Sequence, residues 1–231
     1  VKKENFIRDV DRLIEEGYYG LNVTVPLKED AYKYCNNTSD VARALKAVNT
    51  LIVNKDGVYG DNTDPIGFEK SIANRDLNNK LCLVLGAGGS ARAVVYALTQ
   101  MKCEIGIYNR TKKNAESLCS DLGVEATILT EKTISKFIGS SHLVVNTTSL
   151  GQQEDEENKL IDFNNLNSST HVYDLIYNPS KTTFLRHAEK NGCTVQNGLE
   201  MLIHQAAQSF NVWHNIMPKI DENLTSVLGV N

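Results

Sequence analysis

A glycine-rich turn at residues 86–91 has the composition of a phosphate-binding site. A short apolar run, residues 81–85, leads into it and a helix-forming segment follows, which predicts a strand, a tight turn and a helix. We expect Gly86 to adopt the backbone angles of a sharp turn, Gly88 to leave room for a pyrophosphate, and Ala91 to pack the helix against the strand. Unpaired N–H groups at the start of such a helix attract phosphates. This GxGxxA pattern favours a dinucleotide, although glycine-rich turns also serve as plain connections.

A second apolar run, residues 103–108, ends at Asn109, Arg110 and Thr111. A dinucleotide fold places the residue that meets the adenosine ribose about here. An acidic residue would accept hydrogen bonds from the 2′-hydroxyl of NAD, whereas these residues, followed by Lys112 and Lys113, suit a 2′-phosphate. We therefore predict NADP rather than NAD; the alternative is that the segment is only the basic, solvated start of a helix.

The bulk composition limits the class of protein. A chain of 231 residues is long for one domain and short for two, so two modest lobes with a cleft are expected. The net charge of −4 argues against a nucleic-acid partner, and small molecules are expected instead. No apolar run approaches the length of a membrane span and no signal peptide opens the chain, so we expect a cytoplasmic protein without a membrane partner. The five scattered cysteines form no CxxC pair, and no metal site is predicted.

The chain before the glycine-rich turn supplies further polar candidates. Helical spacing begins at Phe6, and residues 20–25 alternate as a strand with Leu21, Val23 and Val25 on one face. Lys28 follows that strand, at the kind of position where sites are built, although an isolated lysine there is usually solvated. We also predict a helix at 41–45, a strand at 47–53, a hairpin turn at 56–57, and a polar loop at 60–64 whose alternative reading is a turn and a helix cap.

The chain after the glycine-rich turn alternates strand and helix patterns from residue 125 to 146, which predicts βαβ units and a mostly parallel sheet. Residues 147–151 are expected to leave the last strand on the cofactor side, and the acidic residues 154–157 to form a surface turn. A further helix is predicted after Pro218. A long helix is predicted to begin at Gly198, with an apolar side formed by Met201, Leu202, Ala206, Phe210 and Trp213.

Eight segments, in order along the chain, together resemble the shikimate dehydrogenase family. They are residues 22–28, 47–50, 60–64, 86–92, 109–111, 173–177, 198–202 and 205–207. The resemblance implies an α/β fold of two lobes: a Rossmann-like, doubly wound NADP-binding domain at 67–197, and a smaller α/β substrate domain built from both chain ends, 1–66 and the helices of 198–231. It further implies an enzyme of the shikimate pathway, a monomer or homodimer, that reduces 3-dehydroshikimate to shikimate with NADPH.

The same resemblance implies roles for individual residues. Lys28 matches the catalytic lysine and Asp64 its partner. A lysine ammonium can protonate the oxygen on which hydride transfer builds negative charge, while a carboxylate fixes the ammonium. The implied substrate contacts are Thr24, Asn49, Tyr177 and Gln205. The implied cofactor contacts are Asp40, Gly86, Ala87, Gly88, Gly89, Ser90, Asn109, Arg110, Thr111, Lys112, Leu175 and Gly198.

Three features leave alternatives open. Asn114 stands where many relatives carry an additional arginine for the 2′-phosphate, a loss that Lys112 or Lys113 would have to compensate. Relatives begin with a Ser-x-Ser segment that holds the substrate carboxylate, and nothing before Phe6 supplies one. Either the segment belongs to the protein but lies outside this sequence, or the protein is a shortened relative; a shortened relative that binds a nucleotide or ligand without turnover is one alternative. Within the enzymes, a quinate or quinate/shikimate dehydrogenase is the other.

Tyr177 and Lys181 have the spacing of the Tyr/Lys couple of short-chain dehydrogenases. That couple needs both residues on one helical face. Pro179 lies between them in a segment that predicts a turn, so we interpret Tyr177 as a residue at the end of a strand instead.

Overall fold

The structure, a computed structural model, describes residues 1–153, 161–221, 224 and 227. The acidic residues 154–157 and most of the segment after Pro218 lie outside the described residues. The chain divides into two compact units: Val1–Gly67 with Ile203–Asn231 forms the first, and Phe68–Leu202 the second. The domain limits taken from the resemblance, 1–66, 67–197 and 198–231, stay a prediction. In the described ranges, no helix has the length and hydropathy needed to span a bilayer.

The first unit is built on a four-stranded sheet. Its strands lie in the order β1-β3-β4-β2, antiparallel except for the parallel pair β2 and β4. Apolar residues of α1, including Phe6 and Val10, are buried, and Leu51 of the sheet belongs to the same core. In chain order the elements are α1 (Phe6–Glu15), β1 (Gly20–Asn22), α2 (Lys28–Tyr34), β2 (Asn37–Thr38), α3 (Asp40–Leu45), β3 (Thr50–Asn54) and β4 (Gly57–Asp61), after which α4 (Asp64–Ser71) leads into the second unit.

The predicted strand at residues 20–25 is shorter than expected. Strand β1 ends at Asn22, and the N–H of Leu27 donates to the carbonyl of Thr24 in a turn that leads into α2. Val23 is buried as predicted, but the expectation for Val25 is wrong, because its side chain is 67% exposed. The turn interrupts the alternation of a strand, so Val25 no longer faces the core.

The second unit is a six-stranded parallel sheet in the order β10-β9-β8-β5-β6-β7. Counted from β5, this is the 3-2-1-4-5-6 order of dinucleotide-binding folds, with its switch point between β5 and β8. The predicted α/β class with a doubly wound sheet is confirmed. The elements are β5 (Leu81–Leu85), α5 (Gly89–Gln100), β6 (Glu104–Tyr108), α6 (Lys112–Leu122), β7 (Thr127–Leu129), α7 (Glu131–Ile138), β8 (Leu143–Asn146), β9 (His171–Asp174), α8 (Thr183–Lys190) and β10 (Thr194–Gln196), followed by α9 (Leu199–His214).

Strand β5 shows why both faces of this sheet are covered. Cys82 and Val84 point into a core shared with α5 and α6, whereas Leu83 and Leu85 point into the core shared with α7 and α8. All four side chains are fully buried. A strand that is apolar on both faces is stable only between two layers of helices. Because the six strands are all parallel, their carboxyl ends lie along one edge of the sheet.

The buried side of α9 differs from the predicted apolar side. Leu202, Ala206 and Phe210 are exposed. The buried residues are Ile203, Ala207 and Ser209. Trp213 does pack inward, against Gly20, and its indole N–H donates to the carbonyl of Leu51 at 2.9 Å. The prediction failed because exposed apolar residues outnumber buried ones on this helix, and one buried residue is a serine.

Candidate active site

Lys28 and Asp64 form an ion pair in the first unit. The distance from Lys28 Nζ to Asp64 Oδ2 is 2.5 Å, and the side chains are 22% and 12% exposed. Lys28 is the first residue of α2 and Asp64 the first of α4. A carboxylate is favourable at the N-terminus of a helix, whereas an ammonium is not, so the lysine relies on the aspartate for stabilisation. The pair offers a proton donor and an anchored carboxylate at a partly solvated position.

Asn49 holds the second oxygen of Asp64. Its Nδ2 donates to Asp64 Oδ1 at 2.9 Å, and its Oδ1 accepts the backbone N–H of Thr63 at 2.9 Å. A backbone N–H can only donate and a carboxylate can only accept, so these two neighbours determine the orientation of the amide. Asn49 is 2% exposed, and its main chain is hydrogen-bonded to Val23, which follows β1, and to Asp61 of β4.

Gln205 reaches the same cluster from α9. Its Oε1 lies 3.3 Å from Asn49 Nδ2 and 3.4 Å from Thr63 Oγ1. The structure thus brings together four predicted site residues, which are Lys28, Asp64, Asn49 and Gln205.

Three buried hydroxyl groups complete the cluster and were not predicted. They belong to Thr50, Thr63 and Ser209, and all three residues are fully buried. Thr50 and Thr63 lie next to Asn49 and Asp64 in the sequence, which was the available signal for them. Ser209 follows Gln205 by one helical turn, but a single serine on an apolar helix carries no signal of its own.

Two other predicted residues of the first unit lie apart from this hydrogen-bonded cluster, and a third belongs to the second unit. Thr24 is exposed in the turn before Lys28. Asp40, the predicted cofactor contact of the first unit, has a side chain that is 94% exposed and pairs with Arg43 at 2.7 Å. Tyr177 belongs to the second unit, where it follows β9 and is 48% exposed.

The glycine-rich turn of the second unit has the predicted geometry. It connects β5 to α5 at the switch point of the sheet. Gly86 has a φ of +112°, and a Cβ there would collide with Thr147, so both the backbone angle and the space require glycine. Gly88 is the N-cap of α5, and an added Cβ at Gly88 or Gly89 would meet no atom within 4 Å. Ala87 and Ser90 are half-buried in the same turn.

These features fit a pyrophosphate group. The open space beside Gly88 and Gly89 lies at the N-terminus of a 12-residue helix, where N–H groups without intrahelical partners and the helix dipole favour an anion. Ala91 is fully buried and packs the helix close to the sheet. The turn therefore has the room and the donors that a dinucleotide needs.

The predicted ribose segment lies beside this turn. Strands β5 and β6 are parallel with Leu85 opposite Tyr108, and the N–H of Gly86 donates to the carbonyl of Tyr108 at 2.8 Å. Asn109 closes the next loop through a hydrogen bond from its Nδ2 to the carbonyl of Thr111 at 2.8 Å.

The charged residues of this segment are accessible. Arg110 is exposed, and Lys112, at the start of α6, pairs with Glu116 at 3.1 Å. Lys113 and Asn114 are exposed as well. The segment presents positive charge at the same edge of the sheet as the glycine-rich turn.

Leu175 and Gly198 meet at the end of β9. A Cβ at Gly198 would collide with the carbonyl of Leu175, so only glycine permits this approach of two backbone segments. The loop after β9 is held by Asp174, which accepts hydrogen bonds from Asn146 Nδ2 at 3.0 Å, the N–H of Ile176 at 3.1 Å and Thr182 Oγ1 at 2.6 Å.

Asp174 is fully buried, and this burial raises its pKa from the ordinary 3.8 to about 6, although the three hydrogen bonds oppose the rise. The group lies within the carboxyl edge of the sheet and fixes a loop that carries predicted contacts. Sequence inspection gave it no role beyond membership of a matching segment.

The Tyr177 and Lys181 couple is absent as predicted. Residues 177–182 contain no helix, and Lys181 pairs with Glu189 at 2.7 Å. The two residues therefore do not share a helical face.

Models of known families match three parts of the chain. Residues 1–51 match the "Shikimate dehydrogenase substrate binding domain", residues 69–181 match "Shikimate / quinate 5-dehydrogenase", and residues 198–222 match the "Shikimate 5'-dehydrogenase C-terminal domain". A protein named shikimate dehydrogenase (NADP(+)) from Caldicellulosiruptor bescii is 38% identical over 208 residues, which are 88% of this chain and 72% of that protein.

Solved structures are similar over most of the chain. One is shikimate 5-dehydrogenase from Listeria monocytogenes in complex with shikimate and NAD, with a TM-score of 0.89 and 28% identity over 99% of this chain and 83% of the other. Another is shikimate 5-dehydrogenase from Thermus thermophilus in complex with NADP(H) and shikimate, with a TM-score of 0.79 and 32% identity over 88% of this chain and 76% of the other.

Proposed function

Because the chain belongs to the shikimate dehydrogenase family, we propose that it interconverts 3-dehydroshikimate and shikimate with NADP as the cofactor. The observation that carries this proposal is the Lys28–Asp64 pair, which Asn49 holds in the first unit. The unit Phe68–Leu202 would bind the nucleotide and the other unit the substrate. Bound NADPH supplies the hydride.

Lys28 acts as the general acid in the direction of reduction. Hydride addition to a ketone builds negative charge on its oxygen, and the Lys28 ammonium stabilises that charge and donates a proton from Nζ. In the opposite direction the neutral amine accepts the proton. Asp64 keeps the amine in place through Oδ2 and can accept a hydrogen bond from a substrate hydroxyl. Proton transfer of this kind typically contributes about 10²–10⁴-fold to the rate.

The polar groups near this pair suit a polyhydroxylated substrate. Asn49 donates to Asp64 and to Gln205 within one hydrogen-bonded cluster, and amide groups can both donate to and accept from hydroxyl groups. Thr24 and Tyr177 are kept as proposed substrate contacts on the family resemblance, since both side chains are accessible. Asp40, Leu175 and Gly198 are proposed cofactor contacts on the same ground.

The second unit would hold NADP through its main chain and its positive charges. The N–H groups at the start of α5 face the open space beside Gly88 and Gly89 and would bind the pyrophosphate. Asn109, Arg110 and Thr111 would bind the ribose and its 2′-phosphate. Lys112 can join them only by leaving Glu116, an exposed i,i+4 pair that costs little to break.

A single set of assays tests the function. The purified protein is given shikimate or quinate, each with NADP⁺ or NAD⁺, and the absorbance of the reduced nicotinamide is followed. We expect the highest kcat/KM with shikimate and NADP⁺. Two charge-assisted hydrogen bonds, at about 1.5–3 kcal/mol each, predict a preference for NADP⁺ over NAD⁺ of roughly a hundredfold or more.

Each other outcome contradicts a named part of the proposal. An equal kcat/KM with NADP⁺ and NAD⁺ would contradict the proposed role of residues 109–111 in binding the 2′-phosphate. A higher kcat/KM with quinate would favour the second candidate function, which the words "Shikimate / quinate" in the matching family description support. Nucleotide binding without turnover of either substrate would indicate a binding protein.

A further inference from the structure

Ser209 belongs to the buried hydrogen-bonded cluster of the first unit that also contains Thr50 and Thr63. It lies on α9, is fully buried, and comes one helical turn after Gln205. Four polar atoms lie within hydrogen-bond distance of its Oγ: Thr50 Oγ1 at 2.7 Å, Thr63 Oγ1 at 3.1 Å, Asn22 Nδ2 at 3.1 Å and the carbonyl oxygen of Gln205 at 3.1 Å. This hydroxyl therefore joins α9 to β1, to β3 and to the segment that precedes α4.

The chemistry of these neighbours gives the hydrogen bonds a direction. Asn49 Oδ1 carries no proton, and Thr50 Oγ1 donates to it at 2.8 Å. The Thr50 proton is then committed, so in the short contact between Thr50 and Ser209 the donor is Ser209, whose single proton is shared between Thr50 Oγ1 at 2.7 Å and the carbonyl oxygen of Gln205 at 3.1 Å. Asn22 Nδ2 can only donate, and it fills one acceptor position of the Ser209 oxygen. The bonds run from Ser209 to Thr50 and on to Asn49.

Asn49 connects these hydrogen bonds to the Lys28–Asp64 ion pair. With its Oδ1 held by Thr50 and by the N–H of Thr63, its Nδ2 is directed at Asp64 Oδ1, while the other oxygen of Asp64 accepts from Lys28. Loss of any earlier bond leaves the Asn49 amide freer to rotate. Connected hydrogen bonds also polarise one another in a buried environment, so each supports the next.

We infer that Ser209 is a positioning residue, which acts through Thr50 and Asn49 to hold Asp64 against Lys28 in the orientation needed for proton transfer. Its side chain is fully buried, so it acts without touching the substrate. The inference rests on the proposed function for its effect on turnover. Its effect on the order of Asn49 does not depend on that function.

The test combines kinetics with hydrogen exchange in Ser209→Ala and in Thr50→Val, which keeps the shape of threonine without its hydroxyl. We expect kcat for shikimate oxidation to fall about tenfold in each, with KM changed less than about threefold, because the substrate-facing groups remain. Since both residues act in one series, the double variant should be no slower than the slower single variant. The backbone amide of Thr63, whose acceptor is Asn49 Oδ1, should exchange about tenfold faster relative to the amide of Val53.

Ser141→Ala is the matched control. Ser141 is also buried, and its hydroxyl also donates to a carbonyl four residues earlier, that of Phe137 at 2.9 Å, but it lies in the second unit. It should leave kcat and the exchange of Thr63 unchanged.

Three results would overturn the inference. The first is an unchanged exchange rate of the Thr63 amide in both single variants. The second is a kcat of the single variants within twofold of that of the unaltered protein. The third is a fall in kcat of the double variant that equals the product of the falls in the two single variants. If the unaltered protein itself fails to oxidise shikimate, the proposed function fails, and the exchange of Thr63 alone then decides whether Ser209 orders Asn49.

Discussion

The candidate site of the first unit consists of side chains from distant parts of the chain, whereas that of the second unit consists mainly of one continuous stretch of main chain. Lys28, Asn49, Asp64 and Gln205 come from four separate parts of the chain and meet through hydrogen bonds. The glycine-rich turn at residues 86–90 instead leaves open space beside Gly88 and Gly89, because these residues have no side chains. The first kind of site is sensitive to the loss of a group and the second to the addition of one.

The two units also differ in the groups that surround a buried carboxyl group. In the first, Asp64 is paired with a lysine and an amide at a partly solvated position. In the second, Asp174 is fully buried and accepts hydrogen bonds from three neutral groups, and burial raises its pKa to about 6. Asp64 therefore has a cation beside it, whereas the hydrogen bonds to Asp174 come from neutral groups.

The largest expected effect comes from removing the ammonium of the first unit. Lys28→Ala should lower kcat by about 10²–10⁴-fold, because the hydroxyl of shikimate loses the amine that accepts its proton during oxidation, while the KM for shikimate should change far less. Steady-state kinetics with shikimate and NADP⁺ measure both constants.

Lys33→Ala is the control for Lys28→Ala. Lys33 lies on the same helix, α2, and is exposed. It should leave both constants unchanged. A Lys28→Ala protein with near-normal kcat would refute the acid/base role.

The second unit should respond to an added methyl group. Gly88→Ala places a Cβ in open space at an ordinary φ of −90°, so the free energy of unfolding should change by less than about 1 kcal/mol. The methyl group occupies the space assigned to the pyrophosphate, and the affinity for NADP⁺ should fall by about tenfold or more. Ligand titration and denaturant unfolding measure the two effects separately.

Gly86→Ala provides the comparison for Gly88→Ala. At Gly86 the φ of +112° and the contact with Thr147 oppose any Cβ, so this variant should lose more than about 1 kcal/mol of stability as well. An unchanged affinity in Gly88→Ala would show that the cofactor does not approach that glycine.

The smallest expected effect concerns pH. Between about pH 4 and 6, Asp174 keeps its proton in the native protein but has lost it in the unfolded chain, so its contribution to stability falls as pH rises through this window. The slope is at most about 1.4 kcal/mol per pH unit. Asp174→Asn should remove it, because the amide cannot titrate and can still accept from Asn146 and the N–H of Ile176.

The measurement is the difference in unfolding free energy between the unaltered protein and Asp174→Asn at several pH values. Subtraction is needed because His171, in the same unit, also titrates in this range. Burial lowers its pKa to about 4, so the native protein keeps His171 neutral where the unfolded chain protonates it, and stability falls as pH falls. A difference that stays constant from pH 4 to 7 would mean that Asp174 does not titrate in this range.

Helix α9 shows where sequence patterns stop being informative. Helical spacing predicted the element and its start correctly, but apolar residues alone did not predict its buried side, because Leu202 and Phe210 are exposed while Ser209 is buried. Burial of a serine is favourable only when partners satisfy its hydroxyl, and those partners lie on other elements.

The sequence patterns by themselves indicated βαβ units with a mostly parallel sheet, the glycine-rich turn and the basic segment after β6, because the succession of strand and helix patterns and the backbone requirements at Gly86 are properties of neighbouring residues. The doubly wound class was implied by the family resemblance. Only the tertiary structure decided that Ser209, Thr50 and Asn49 form one hydrogen-bonded series, since Ser209 and Thr50 are 159 positions apart. A buried polar cluster is defined by the distances and directions of its donors and acceptors, and folding alone brings those atoms together.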